Sequence, residues 1–315
     1  MYKSFYGLKE NPFNVNPDPR FLFLTKQIEE ALTGLMYGIQ TRKGFITLTG
    51  EVGTGKTTLI NRLLDWQHQR RARTAFLFNS RMNSNQLFDF ILAEFDIRCE
   101  SKSKSQQLMK LNHWLLDRYR TGETVVLIID EAQNLTYPVL EEIRLLTNLE
   151  TSTEKLLQIV LSGQPELEEK LKLPQLRQLR QRIMLRCKTS ALSKKETQEY
   201  ITERLKIAGA SGDPIFSAPA LEAIHVYSLG IPRVINLLCE HSLVNGFADQ
   251  QRPIQPKIVE EVAQEFQLDE VEPIAPNGGS SIDTEVYNSE AFIQNLGEAL
   301  SRFRLSPSTA IRQRK

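Results

Sequence analysis

The nine residues GEVGTGKTT (50–58) decide how the rest of this 315-residue chain is read. They follow a strand-like run, FITLT (45–49), and open a segment with helical periodicity at about 56–70. Glycine, four residues, glycine, lysine and threonine, set between a strand and a helix, is the context a phosphate-binding loop requires. The glycines let consecutive backbone N–H groups turn inward as a nest for phosphate oxygens. The helix start adds about half a positive charge. Lys56 is expected to reach the β- and γ-phosphates of a nucleoside triphosphate, and the Thr57 hydroxyl to ligate Mg²⁺. Gly50, Glu51, Val52, Gly53, Thr54, Gly55 and Thr58 complete the cradle.

Such a loop needs an acid at the end of a neighbouring strand. VVLIIDEAQNL supplies one. Residues 125–129 are an unbroken apolar run, as in a strand buried on both faces. Asp130 ends it, at the strand's carboxyl edge, where it is expected to hold Mg²⁺. Glu131 is placed to orient and polarise an attacking water. The loop and the acid pair together point to hydrolysis of a nucleoside triphosphate rather than its storage. Asn79, ending FLFN, has an amide that could hold Glu131 away from water, or be a plain strand-end turn residue. In IVLSGQPEL, Ser162 and Gln164 present polar groups that could sense the γ-phosphate.

Strand candidates at 73–79, 124–130, 156–163 and 183–192 alternate with helical segments at about 26–41, 56–70, 84–96, 105–120, 136–150 and 174–182. That alternation argues for a parallel sheet covered on both sides. After residue 192 the strands stop. Helices are expected at about 193–209, 217–229, 232–248 and 255–266, with Ser193 and Glu196 as a capping box. In SLGIPRVINL, Gly230 ends one helix and Pro232 starts the next. Arg233 then sits at a helix start, where the dipole disfavours a cation. An anionic partner, the nucleotide's phosphates, would explain it.

Residues 1–25 read as an extended arm, because Pro12, Pro17 and Pro19 forbid a regular helix and the aromatic residues provide anchors for packing on the core. The expected units are therefore an arm at 1–25, an α/β core at 26–192, a helical lid at 193–266 and an acidic linker with a flexible tail at 267–315. The tail contains a short amphipathic stretch, AFIQNLGEALSRF, that could bind a partner.

The formal charge of +1 gives no global field for nucleic acid or anionic membrane. Three scattered cysteines offer neither metal-ligand spacing nor a disulfide framework and fit a reducing cytoplasm. The N-terminus has no apolar signal region, and no run approaches the roughly 18 apolar residues of a spanning helix. The chain is expected to be cytoplasmic, reaching a membrane only through a partner.

One local patch departs from this neutrality. Residues 170–195 carry nine Lys or Arg and no acid. Leu173, Leu176, Leu179 and Ile183 form a helical stripe, after which the period changes to two. The block is therefore a helix end running into a strand, not a uniform basic face.

The ordered set FYGLKENPFNVNPDPRFLF, GEVGTGKTTLINRLL, IIDEAQNL, SGQPELEEKL, LRQLRQRI and GIPR resembles the AAA+ ATPases, and within them the GspA/ExeA family of bacterial secretion ATPases. Exosortase-associated ATPases look much the same. The resemblance covers about residues 1–266. It implies a P-loop AAA+ domain with a five-stranded parallel sheet, in which the 156–163 strand lies between the phosphate-loop strand and the Asp130 strand, followed by an all-helical lid. It implies ATP and Mg²⁺ as cofactors and a homo-oligomeric ring or filament with ATP at each junction. Glu131 would be the catalytic base, Arg233 the lid sensor, and Arg180 or Arg182, with Arg177 next, an arginine finger acting on the neighbour's nucleotide. The partner implied is a secretion or envelope component, met at the inner membrane. GspA/ExeA proteins continue into a membrane span and a periplasmic domain, and this sequence is expected to lack both, so that role does not transfer. The alternative is a resemblance to the TnsC/TniB transposition regulators, whose similar cores form filaments on DNA. A nucleotide-binding scaffold with little turnover is disfavoured by having both Lys56 and Glu131.

Overall fold

The computed structural model describes residues 1–268 except 15–17, 69, 71, 79–80 and 102. Five strands form one parallel sheet: β1 (Phe45–Thr49), β2 (Ala72–Leu77), β3 (Thr124–Ile129), β4 (Leu157–Gly163) and β5 (Leu185–Lys188). Their order is β2-β3-β4-β1-β5. The 156–163 strand candidate thus sits between the phosphate-loop strand and the Asp130 strand, as the resemblance implied. β1 and β4 are buried along their whole lengths, and β3 along all but its first residue. Their near-continuous apolar sequences follow from being covered on both faces. β5, an edge strand, buries only Cys187 fully and turns Arg186 and Lys188 to solvent.

Register fixes where the chain leaves the sheet. Thr49 lies beside Gly163 on one side and Lys188 on the other, while Ile129 pairs with Leu77 and Leu161. All five carboxyl ends therefore open onto one edge.

On one face pack α2 (Lys26–Gln40) and α3 (Lys56–His68), through Leu35, Ile39, Leu59, Ile60 and Leu63. On the other pack α4 (Ser84–Glu94), α5 (Lys104–Arg120), α6 (Tyr137–Leu146) and α7 (Pro165–Lys172), around Phe88, Leu111, Leu115, Leu140, Ile143 and Leu167. Each fully buried Leu or Ile contributes about 1.5–3 kcal/mol relative to exposure.

Four helices follow the sheet: α9 (Lys194–Ile207), α10 (Ala218–Ser228), α11 (Pro232–Ala248) and α12 (Pro256–Glu265). The Ser193–Glu196 capping box forms at the start of α9. These helices enclose their own cluster, including Ile201, Ile224, Ile235, Leu238 and Val259. Leu192 and Gly230 join the two layers. The Leu192 N–H donates to the Gly230 carbonyl at 2.8 Å, and Gly230 has φ +75°.

Three expectations need correction. The arm is not extended throughout: Tyr2–Tyr6 form α1, and Pro19–Phe21 a 3-10 turn. The first proline is Pro12, so residues 2–6 escape its constraint, and Gly7 in the left-handed region closes the helix. The arm does pack, and on both layers: Tyr6 and Phe13 are buried in the helical one, while the 3-10 turn and Leu22 lie against α3 and its cluster. Residues 174–182 are not one helix. α7 ends at Lys172, Leu173 turns extended (ψ 141°) ahead of Pro174, and a 3-10 turn leads into α8 (Arg177–Arg180). The strand expected over 183–192 shrinks to four residues. The tail and its amphipathic stretch lie outside the described residues.

Candidate nucleotide site

The phosphate loop bridges β1 and α3. Gly53 (φ +79°) and Gly55 (φ +94°) take backbone conformations that suit glycine. The Thr54 hydroxyl donates to the Glu51 carbonyl at 2.7 Å and lies 2.7 Å from the Thr189 hydroxyl, tying the loop to the exit of β5. Thr57 is exposed in the first turn of α3. The loop is thus preformed, with its N–H groups at a helix start.

Lys56 is almost fully buried. Its ammonium donates to the carbonyls of Gly50 (2.7 Å) and Glu51 (2.9 Å). Burial pushes it below the ordinary lysine value, while Glu131 and Asp130 oppose that shift.

Asp130 ends β3 and is buried. Its Oδ1 accepts from the Ser162 hydroxyl (2.7 Å) and from the Glu131 N–H (3.0 Å). Ser162 is itself buried, so it serves Asp130 rather than facing the cleft. Glu131 adopts φ +51°, a left-handed conformation that costs a non-glycine residue about 1–2 kcal/mol. Its Oε2 accepts from Gln133 Nε2 (2.6 Å) and Gln164 Nε2 (3.3 Å). Asn79, the other expected partner of Glu131, lies outside the described residues.

The start of α11 closes the cleft from above. The Arg233 N–H donates to the Gly53 carbonyl at 3.2 Å, and a β-carbon on Gly53 would stand 2.8 Å from that of Arg233. Among the described residues the Arg233 guanidinium makes no hydrogen bond or ion pair. Loop, acid and lid surround a cavity of about 390 Å³, lined by Val52–Thr58 together with Glu131 and Arg233.

Sequence reasoning missed the far wall of this cavity. The arm contributes Asn14, Asp18, Phe21, Leu22 and Phe23, and the helical layer contributes Tyr200, Arg204 and Asn236. Arg204 is buried and donates to the Pro12 carbonyl (2.6 Å) and the Tyr200 hydroxyl (3.0 Å), with Phe21 4.6 Å and Tyr200 5.3 Å from its guanidinium carbon. Tyr200 in turn donates to Asn236 (2.8 Å). The one available signal was an arginine on the apolar stripe of α9, four residues after Tyr200. Gln133 carried no signal.

The arginine block is not brought to this cavity. Arg182 lies ahead of β5, whose first residue, Leu185, pairs with Ile46 near the start of β1. That is the opposite edge of the sheet from the phosphate loop. Arg182 donates to Thr147 Oγ1 (2.8 Å) and Asn148 Oδ1 (2.6 Å), and Arg180 to the Lys172 carbonyl (3.4 Å). Arg177 is exposed.

Sheet order, phosphate loop and helical layer together define an AAA+ P-loop fold. An AAA domain family model matches residues 39–171, so the chain carries an AAA domain. Its sequence is 43% identical, over 249 residues, to general secretion pathway protein A of Aeromonas hydrophila, as the motif order led us to expect. That alignment takes in 79% of this chain and 45% of the relative, so the chain spans less than half of that protein's length. Among solved structures, the Aeropyrum pernix ORC2 protein in its ADPNP-ADP complexes superposes with a TM-score of 0.59 at 16% identity, over 84% of this chain and 75% of that one. The Thermotoga maritima RuvB Holliday junction branch migration motor gives 0.52 at 16% identity, over 81% and 73%. At these identities the likeness is one of fold.

Proposed function

We propose that this chain binds Mg²⁺·ATP in the cavity between the phosphate loop and the start of α11, and hydrolyses it. The observation that carries the reading is convergence. Lys56, Glu131 and Arg233 leave three separate elements and meet around one cavity at one sheet edge, with Asp130 beside Glu131 at the end of β3.

The residues fit Mg²⁺. This ion keeps water and phosphate ligands and needs only one or two protein groups. Among the described residues there is no cluster of three or more His, Cys, Asp or Glu that would cage a metal alone. Asp130 Oδ1 is engaged by Ser162 and the Glu131 N–H, whereas Oδ2 makes no hydrogen bond among the described residues. Asp130, through that oxygen, and the Thr57 hydroxyl would hold the ion. When bound, it would neutralise charge across the β- and γ-phosphates. Lys56 exchanges its own loop carbonyls for phosphate oxygens. Glu131 orients and deprotonates the attacking water. Arg233 reads the phosphates from the lid.

The same reading makes the chain one subunit of a ring or filament, built from the arm (1–25), the core (26–192), the lid (193–266) and the tail (267–315). Arg180 or Arg182 reaches the neighbour's nucleotide, since neither faces its own. Arg182 is the more tethered of the two, which favours Arg180. ATP turnover drives assembly or remodelling of a partner, and the kinship with a general secretion pathway protein favours a secretion or envelope component. Among the described residues, no helix is long and apolar enough to cross a membrane.

The test is steady-state ATPase activity with metal, partner and DNA varied. Mg²⁺-dependent turnover, abolished by Glu131→Gln with ATP binding retained, supports the reading. Phosphate release at the rate of buffer would overturn it. Duplex DNA is a second arm. Stimulation and filament formation at low salt, lost as salt rises, would move the assignment to a DNA-organised ATPase.

A further inference from the structure

α7 grips the Glu131 turn from both ends. At its start, Gln164 occupies the cap position but does not cap its own helix. Its side chain donates to Glu131 Oε2 at 3.3 Å, and its N–H donates to Gln133 Oε1 at 3.2 Å. Gln133 passes this on, donating from Nε2 to the same Glu131 oxygen at 2.6 Å. Six residues later, Lys170 reaches back across the turn. Its ammonium donates to the Gln133 carbonyl and, at 3.0 Å, to the Leu135 carbonyl. Among the described residues Lys170 forms no ion pair, so its charge is committed to that turn.

The turn needs holding. It begins with Glu131 in the left-handed region and continues as a 3-10 turn over Ala132–Asn134. A strained residue persists only where its surroundings over-determine it. The Asp130 carboxylate fixes the Glu131 N–H from one side. Lys170 and Gln133 fix the peptide groups that follow. Loss of the ammonium would free two carbonyls that share the turn with the Glu131 backbone and let the carboxylate drift. The chain also runs from α7, through the Pro174–Leu176 turn, into the Arg177–Arg180 helix. The brace therefore lies between Glu131 and the arginine block.

We propose that Lys170, acting through the Gln133 turn, is a positioning residue for the Glu131 carboxylate. The proposal rests on Glu131 being the base for ATP hydrolysis. Its partially desolvated site lowers the lysine below its ordinary value, in keeping with an ammonium spent on carbonyls.

The experiment measures kcat, KM and ATP affinity for the full chain and four variants. Lys170→Met keeps the aliphatic stem and removes the ammonium. Lys170→Arg keeps a cation of similar reach. Glu131→Gln and the double variant Glu131→Gln with Lys170→Met complete a cycle. A misplaced reacting group costs about 10-fold to 100-fold in rate. The expected result is a kcat at least about 10-fold lower for Lys170→Met, with KM and ATP affinity within about 2-fold of the parent. Lys170→Arg should recover most of kcat. The double variant should be no slower than Glu131→Gln alone, because an absent base cannot be misplaced further. If Lys170→Met keeps the parent's kcat, or loses affinity as much as kcat, the positioning role is wrong. If Glu131→Gln hydrolyses ATP like the parent, it is the base assignment that fails, and that outcome is read from a separate variant. Should Lys170→Met fold poorly, Gln133→Leu removes the link to Glu131 without touching Lys170, and an unchanged kcat there overturns the proposal equally.

Discussion

Replacing Gly230 by alanine tests how the helical layer is fastened to the sheet. A β-carbon at Gly230 would lie 2.0 Å from the Leu192 carbonyl oxygen and 3.0 Å from both its carbon and its nitrogen. An ordinary carbon–oxygen contact is about 3.3 Å, so the joint would have to open by about 1.3 Å. Opening by that amount breaks the 2.8 Å bond from the Leu192 N–H to the Gly230 carbonyl. Both residues are buried, so the freed groups cost about 1–3 kcal/mol, and the left-handed backbone adds about 1–2 kcal/mol. The total is about 2–5 kcal/mol. Gly7 is a matched control. Its φ is +72° against +75° at Gly230, but a β-carbon there meets nothing within 4 Å. Gly7→Ala should therefore cost only the backbone term, about 1–2 kcal/mol. Urea unfolding followed by circular dichroism, without nucleotide, measures both. ATP affinity should also fall in Gly230→Ala, because the same joint sets Arg233 over Gly53. Equal losses in the two variants would refute the reasoning, since the clash would then contribute nothing.

Other outcomes follow from the site. Lys56→Ala should lose ATP binding in equilibrium titration, while Glu131→Gln should bind ATP and accumulate assembled protein on size-exclusion chromatography. Arg180→Ala and Lys56→Ala subunits, each inactive alone, should regain part of the ATPase rate when mixed; full activity of both Arg180→Ala and Arg182→Ala in pure assemblies would place the finger elsewhere. Arg204→Met removes two hydrogen bonds and two ring contacts and should destabilise by about 2–4 kcal/mol, with limited proteolysis now cutting within residues 1–25. The Ser193 hydroxyl and N–H hold the Glu196 carboxyl below its ordinary value. That contribution is present above the unfolded value and is lost as pH falls through the folded one, so the stability gap between parent and Ser193→Ala should narrow as pH falls through and below the ordinary glutamate range.

The central sheet was legible because its signals are local. β1, β3 and β4 are apolar runs that end in a phosphate loop, an acid pair and a polar turn, and their common edge follows from parallel topology. The candidate site was legible where a motif sits at a strand end, as at Lys56, Asp130 and Glu131, which the fold brings to one sheet edge. It was not legible where function depends on contacts between distant segments. Arg204 reads as a helix-face charge until Pro12 and Phe21 are brought against it. Gln133 and Lys170 look like ordinary surface residues until α7 folds back over the turn. The helix expected at 174–182 began at Pro174, and no helix was expected at 165–172; the shape of α7 and α8 depended on how Leu171, Leu176 and Leu179 found the core. Ser162 was read as facing phosphate because its strand end is close. Only the sheet's packing shows that it turns inward to Asp130.

The anchoring of the arm has a consequence for how the chain is put together. Glu240 on α11 accepts hydrogen bonds from Tyr2 (2.9 Å) and Asn11 (3.0 Å), and Arg204 holds the Pro12 carbonyl. Tyr2 and Glu240 are 238 positions apart. In topological terms the α/β layer is an insertion, its entry at Thr25 and its exit at Leu192, spliced into a helical unit whose first segment is α1. During synthesis the inserted layer can complete its sheet while α1 still lacks its partner α11. The helical unit closes only once α9 and α11 have emerged, so the contacts of Tyr2 and Asn11 with Glu240 form after the whole sheet has been synthesised.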